Sequence, residues 1–479
     1  MKLRSSLALC GFALNLLIAS PVVGQQPSES GADSRDPRLI SELKPLGWDE
    51  QEEVRNGRGG TNSISSASVR LPGPRPLATV DEGASQHRTF LRFGLSLSQN
   101  YDDNVGYSSV TVSDTFSLIS PSVSVERLGR RAYTSLRYQG DGRIYGRHPE
   151  LNIFGHDLTF LQAFHGARWS GSFSHSFIYT PDRLGLLFAL RARAHEVTNL
   201  LGPEQSLVIP RADRIFNATT AELQYSKSVR TSFSLSGSYL DARARHGEFV
   251  TYSGVELRAA YNYRYTQRST LSLFPDVRLL RFTGDFRGSK SYAFYLGHSY
   301  QAGRRVWVSL HAGPQYTRFE QTATALLPPE LASLIGLLEV PPPRHRSRMD
   351  WSGAANLVYN RHRSAFGVSY LRGVAGSGGL AGPVRNQTVQ AYVSNRLFGR
   401  WSSTLSGAYS DNRGLDGLAG SYDAVTAGLR LERPLGESMS FFVGYDFLRQ
   451  ISSISGLSFT RNLFTVGFGW GSPPILVGR

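Results

Sequence analysis

The residues of this 479-residue chain with most to offer chemically are arginines and carboxylates set at alternate positions among serines, threonines and glycines. Arg92, Arg137, Arg143, Arg258, Arg264, Arg278 and Arg430 fall on the polar phase of such segments. Glu222, Glu256 and Asp276 share that phase, as do Asp141, Asp157, Glu432 and Asp446. Fixed charges on one face of extended backbone act on solutes through field and size, without making or breaking bonds. Walls of opposite sign facing each other across water would set a transverse field. The competing reading is that the charges pair off and fill a narrow lumen.

Bond-making chemistry finds no motif. His195, in the run His195-Glu196-Val197-Thr198-Asn199, lacks the second histidine of a zinc-binding helix. No nucleophile elbow, phosphate-binding loop or dinucleotide fingerprint occurs. Neither an enzyme nor a cofactor is expected, although loop tips brought together by folding would escape a reading based on spacing. Asp102, Asp103 and Asn104 form a cluster of hard oxygen donors of the kind calcium favours. The same residues suit a plain turn.

The elements that carry these residues are strands. In residues 231–239, Phe233, Leu235 and Tyr239 face one way and Ser232, Ser234, Ser236 and Ser238 the other. A period of two is extended backbone. Segments of this kind recur from about Arg88 to Trp470, as a transmembrane barrel with an apolar outside and a polar inside requires. In lipid every backbone polar group must pair internally, so a sheet crosses the bilayer only when closed.

Short connections fall near 127–131, 165–168, 227–230, 266–268, 301–305, 360–363, 398–400 and 433–437. Longer ones cover about 101–114, 147–152, 181–213, 241–250, 283–290, 319–347, 374–382, 411–420 and 450–459. The pattern predicts an all-β, antiparallel, up-and-down transmembrane barrel of about 18 strands, with 16 as the alternative, both termini lying on the short-turn, periplasmic side. Trp169, Trp307, Trp401 and Trp470 are expected at the periplasmic interface, and Tyr179, Tyr239, Tyr252, Tyr292 and Tyr409 in an outer girdle.

Outside the barrel, residues 1–24 read as a secretory signal. Lys2 and Arg4 precede an apolar stretch over 7–19, and Val22, Val23 and Gly24 offer a cleavage site. The only cysteine, Cys10, lies inside that stretch, so the exported chain would carry no thiol into an oxidising periplasm. Residues 25–87 are rich in Ser, Gly, Pro and mixed charge and read as a disordered periplasmic leader. Within it, residues 39–48 are a candidate docking segment for a periplasmic partner. The barrel spans 88–470, and 471–479 form a C-terminal tail.

Formal net charge is +15, nearly all of the positive charge being arginine, because Lys2, Lys44, Lys227 and Lys290 are the only lysines. The arginines are scattered without a basic helix or aromatic interleaving, so nucleic acid is not an expected partner. A cationic pore wall, or contact with outer-membrane lipid and lipopolysaccharide headgroups, fits better.

The segment NYDDNVGYSSVTVSDTFSLISPSVSVE resembles the opening of the β-barrel porin family often labelled BBP2. There a Tyr-Asp-Asp-Asn-aliphatic loop precedes Ser-Asp and an Ile-x-Pro strand. The matching positions are Tyr101, Asp102, Asp103, Asn104, Val105, Ser113, Asp114, Ile119 and Pro121. Beyond this opening the similarity is one of pattern over roughly 88–470. The resemblance implies a porin, some members accompany polysaccharide export, and no catalytic residue carries over. Residues 463–470 also look like the terminal strand read by barrel-assembly machinery through Phe464, Phe468 and Trp470, although a tail follows here.

The expected function is therefore a bacterial outer-membrane channel for passive diffusion of small hydrophilic solutes, with anions favoured by the arginine excess. The alternatives are an accessory to surface-polymer export and a closed structural barrel. Two apolar stretches, 183–201 and 325–340, are candidates for constriction, with Arg191, Arg193 and His195 at the eyelet. A cap over the mouth, or a helix on the outer leaflet, is the other reading of both.

Overall fold

The computed structural model describes residues 88–180, 214–244, 251–282, 286–321, 344–375, 383–415, 420–453 and 457–477. The expected signal, leader and eyelet residues Arg191, Arg193 and His195 lie outside the described residues.

Strands β1 to β6 are Arg88–Asp102, Asp114–Leu128, Ala132–Tyr145, Ile153–His165, Trp169–Thr180 and Arg214–Ser226. Strands β7 to β12 are Thr231–Ala244, Tyr252–Arg264, Ser269–Phe282, Phe286–Ala302, Val306–Gln321 and Arg344–Arg361. Strands β13 to β18 are Ser364–Ala375, Val384–Arg396, Ser402–Gly414, Ser421–Pro434, Met439–Ser452 and Phe459–Gly471. The three-residue β19, Ile475–Val477, follows. Each long strand pairs antiparallel with its chain neighbours, and β1 pairs with β18 from Gly94 opposite Gly471 to Asp102 opposite Leu463. The sheet is thus a closed antiparallel barrel of eighteen long strands, as the alternation predicts.

Closure explains how strands this apolar on one side exist at all. Strand pairs with strand right round the sheet, and the outward phase can meet lipid. On β18 that phase is Phe464, Val466, Phe468 and Trp470, all largely exposed, while Gly467 and Gly469 turn inward and are buried. Tight turns join the strands at one end. Gly303 takes a φ of 70° in the β10–β11 turn, a left-handed conformation costly for other residues.

The segment after β18 is not a free tail. Pro473 and Pro474 have no N–H for a ladder, so pairing lapses there and resumes one register further on, Ile475 opposite Leu91. Ser472 bridges the lapse: its N–H donates to the Phe93 carbonyl at 2.8 Å and its hydroxyl accepts from the Phe93 N–H at 2.9 Å.

Two aromatic placements differ from expectation. Trp307 shares the phase of Ser309 and His311 and so stands on the lumen side at the short-turn end. Tyr252 is buried inside with Ile178, Phe216, Leu240, Leu280 and Phe282. Both residues lie at strand starts, where a one-residue change in phase moves a side chain across the wall.

One ladder is incomplete. β12 and β13 pair only from Arg361–Ser364 to Gly353–Arg372, although β12 runs on to Arg344 and β13 to Ala375. Beyond that point Val374, on the outward phase of β13, packs against Phe319 on the inward phase of β11, together with Leu415. The end of β13 has therefore passed inside the wall. Asp350 of β12 holds the junction, with Arg372 at 2.8 Å, Arg385 at 3.6 Å and Arg348 at 3.9 Å.

Candidate functional site

The inner wall has two zones. Toward the short turns it is lined by small polar side chains, among them Ser232, Ser234 and Ser236 of β7, Asn262 of β8 and Ser272 of β9, which are partly accessible. Ser272 donates to Asn262 at 2.7 Å. Glu222 of β6 is exposed on this inner face, so solvent reaches it. Toward the long loops the inward residues are buried. Ser238, Glu256, Ser291, Thr317, Asn386, Asn412 and Thr426 are all below one-tenth exposed.

The alternation places all ten expected lumen residues on the inward phase. Pairing of these charges is the competing reading, but which residue meets which depends on register. Register sets Glu256 opposite Arg278 and Arg258 opposite Asp276 across β8 and β9, a two-by-two checkerboard. Arg258 donates to Asp276 from Nε at 3.1 Å and Nη2 at 3.0 Å, and to Glu256 at 3.1 Å. Arg278 donates to Glu256 from Nε at 3.1 Å and Nη2 at 2.8 Å, and from Nη1 to the Val374 carbonyl. Two cations and two anions close a neutral network on a single wall. Isolated charges at this burial would each be costly, and mutual pairing offsets the desolvation. Separate positive and negative walls are thus not formed here.

Two of the other lumen arginines, Arg92 and Arg430, also have carboxylate partners. Arg92 pairs with Glu126 at 3.4 Å, Arg137 donates to Gln139 at 3.2 Å, and Arg430 donates to Glu432 at 3.4 Å while stacking 4.0 Å from the Phe442 ring. Arg143 is buried against Phe116, whose ring centre lies 5.9 Å from the guanidinium. Arg264 sits at the short-turn end of β8, half-buried.

The Asp102–Asp103 cation site expected as a candidate is replaced by a clasp. Asp102 receives Arg461 of β18, whose Nε lies 2.9 Å from both carboxylate oxygens, and both side chains are 0–1% exposed. Asp103 accepts from Asn462, from its backbone N–H at 2.6 Å and its amide at 2.5 Å. Asn104 donates to the Thr460 carbonyl at 3.0 Å. Three consecutive residues at the end of β1 thus grip three consecutive residues of β18, and both carboxylates are engaged by protein donors. Among the described residues no group of His, Cys, Asp and Glu is arranged to hold a metal.

The clasp also folds the first loop inward. Tyr107 adopts a φ of 53°, gives its hydroxyl to contact with Arg461 Nη1 at 2.5 Å, and is buried with Val105, Phe116, Tyr145, Leu448, Phe459 and Leu463. With the Val374 cluster, the Tyr252 cluster and the buried pair Val384 and Tyr422, this makes four apolar masses on the inner wall of the outer half among the described residues. Arg461 lies on the inward phase of β18, but nothing local in the sequence identifies its partner 359 positions away. Asp350, Arg372 and Arg385 were likewise unforeseen, because their meeting depends on the interrupted ladder.

No family model and no curated protein matches the chain. Solved structures of Pseudomonas aeruginosa outer-membrane proteins resemble it in fold. OpdK with vanillate is 10% identical, covering 80% of this chain and 99% of its own at a TM-score of 0.42. OccK2 (OpdF) with glucuronate is 10% identical over 80% and 98%, at 0.43. OprD is 12% identical over 81% and 96%, at 0.39. The barrel itself rests on this chain's own ladders.

Proposed function

We propose that the chain is a porin-like channel of the bacterial outer membrane, through which small hydrophilic solutes diffuse passively. The observation that carries this reading is the division of every strand into an apolar outer and a polar inner face around a closed ladder, with the inner face open to solvent in the short-turn half. An eighteen-strand circumference is wide enough for a lumen. The neutral checkerboard of β8 and β9 makes the middle of the wall polar without a strong sign of its own. The resemblance of the opening to BBP2-type porins agrees with this, and the clasp gives Asp102, Asp103 and Asn104 of that motif a reason to occur together.

Single-channel conductance of the refolded chain in a planar bilayer tests the proposal. Steady conductance in a preparation with heat-modifiable electrophoretic migration is the expected result. A folded, heat-modifiable barrel that carries no current would overturn it and favour a closed structural barrel or an accessory to polymer export.

A further inference from the structure

The short turns repeat one residue at one register position. Arg131, Arg168, Arg230, Arg268, Arg305 and Arg363 immediately precede β3, β5, β7, β9, β11 and β13. Each carbonyl continues the ladder to the following strand, accepting from the N–H of His165, Ser226, Arg264, Gln301, Asn360 and Arg396 at 2.7–2.8 Å. Because these bonds extend the ladders in register, the phase of each arginine is determined, and in all six it is the inward one. The seventh and eighth turns depart from the pattern: Trp401 immediately precedes β15, and Ser438 precedes β17, its carbonyl accepting from the Gly471 N–H at 2.8 Å.

Among the described residues the charge on this rim is uncompensated. All six arginines are exposed, and none has an acidic partner among the described residues. Register even sets Arg230 opposite Arg264 and Arg363 opposite Arg396, so cations stand side by side where directly opposed like charges destabilise a ladder. Deeper in the lumen, by contrast, arginine and carboxylate are paired at Arg258–Asp276 and Arg278–Glu256. Alternate strands place successive rim arginines roughly 10 Å apart. That is about one Debye length at moderate ionic strength, so their potentials reinforce one another.

We propose that this rim is an anion-binding site at the short-turn mouth, taking small multivalent oxyanions with phosphate or carboxylate groups and setting the charge preference of the channel. It deepens the channel reading and rests on it for its transport consequence, but binding itself needs no current. Guanidinium groups suit the task, since each offers paired N–H donors to two oxygens of one anion. Phospholipid headgroups carry the same oxyanion chemistry, and the outward phase of neighbouring turn residues separates the two sources. Arg127, Arg361 and Arg433 stand on that outward phase and would serve lipid instead.

The test uses the full chain with all six inward arginines changed to glutamine, a second protein with Arg127→Gln, Arg361→Gln and Arg433→Gln, and sodium tripolyphosphate as the probe. Calorimetric titration in detergent should show tripolyphosphate affinity weakened about tenfold or more in the sixfold variant and unchanged in the outward one. In bilayers of phosphatidylcholine, the reversal potential under a salt gradient should lose its anion sign only in the sixfold variant. Equal affinity in the folded sixfold variant would overturn the site, and an equal loss in the outward variant would reassign the ring to lipid. Loss of binding without conductance in either protein would uphold the site while removing the channel reading. Should the sixfold variant fail to fold, Arg131, Arg168 and Arg230 changed together, and Arg268, Arg305 and Arg363 together, are each expected to give part of the effect.

Discussion

At the scale of single residues, the same arginine side chain has three different roles, decided by burial and by what register sets opposite. Arg461 is almost fully buried and bonded to Asp102, so removing the carboxylate strands a charge with no access to water. We expect Asp102→Asn to destabilise the barrel by about 3–5 kcal/mol, and Asp103→Ala, which loses hydrogen bonds at a more accessible site, by about 1–3 kcal/mol. Urea unfolding in lipid vesicles, followed by tryptophan fluorescence, gives both values. If the two changes prove equally mild, the clasp is not what holds the seam. The checkerboard makes a different prediction. Glu256→Gln leaves Arg258 and Arg278 facing Asp276 alone, so a wall that was neutral becomes positive. The reversal potential should then move toward anions, and a move toward cations would contradict the pairing.

At the scale of elements, strand phase is a local property and was legible. Serines alternate with Phe233, Leu235 and Tyr239 within nine residues, so inside and outside can be assigned before any partner is known. Register is not local. Glu256 opposite Arg278 and Asp102 beside Arg461 depend on how far each strand slides past its neighbour, and one residue of slip would break both. The passage of β13 inside β12, and with it the meeting of Asp350 with Arg372 and Arg385, was invisible for the same reason. Turn composition is legible in the sequence, but an arginine before a strand is unremarkable once, and informative only when the ladders show six of them at one phase. A close approach between strands shows how little slack register leaves. Gly313 of β11 lies so near the Phe294 carbonyl of β10 that any Cβ would collide with it. Gly313→Ala should destabilise by about 1–3 kcal/mol through forced displacement of the two strands, whereas Gly303→Ala, in open space at a left-handed turn, should cost only about 1–2 kcal/mol. The same unfolding assay compares them, and a reversed order would mean that the strands separate easily at this point.

At the scale of the whole molecule, the two zones of the inner wall imply that resistance to flow is uneven. In the short-turn half the lining is serine, threonine and asparagine with partial access to solvent, and the rim arginines have no acidic partner among the described residues. In the outer half four apolar masses line the wall among the described residues: the Tyr107 cluster beneath the first loop, the Tyr252 cluster on β5 to β9, the pair Val384 and Tyr422, and Phe319, Val374 and Leu415 where β13 folds inward. An apolar constriction restricts ions through its width and through dewetting, so trimming one of these masses should change conductance more than trimming the polar half. Phe319→Ala with Val374→Ala is the cleanest choice, because neither residue belongs to the clasp or to the rim. The expected outcome is a larger single-channel conductance with little change in ion preference, since no charge is altered. Ser234→Ala and Ser236→Ala together, on the polar wall of β7, provide the comparison and should leave conductance nearly as it was. Equal effects of the two pairs would place the resistance elsewhere, and an increase from the serine pair alone would move the narrowest section to the short-turn half.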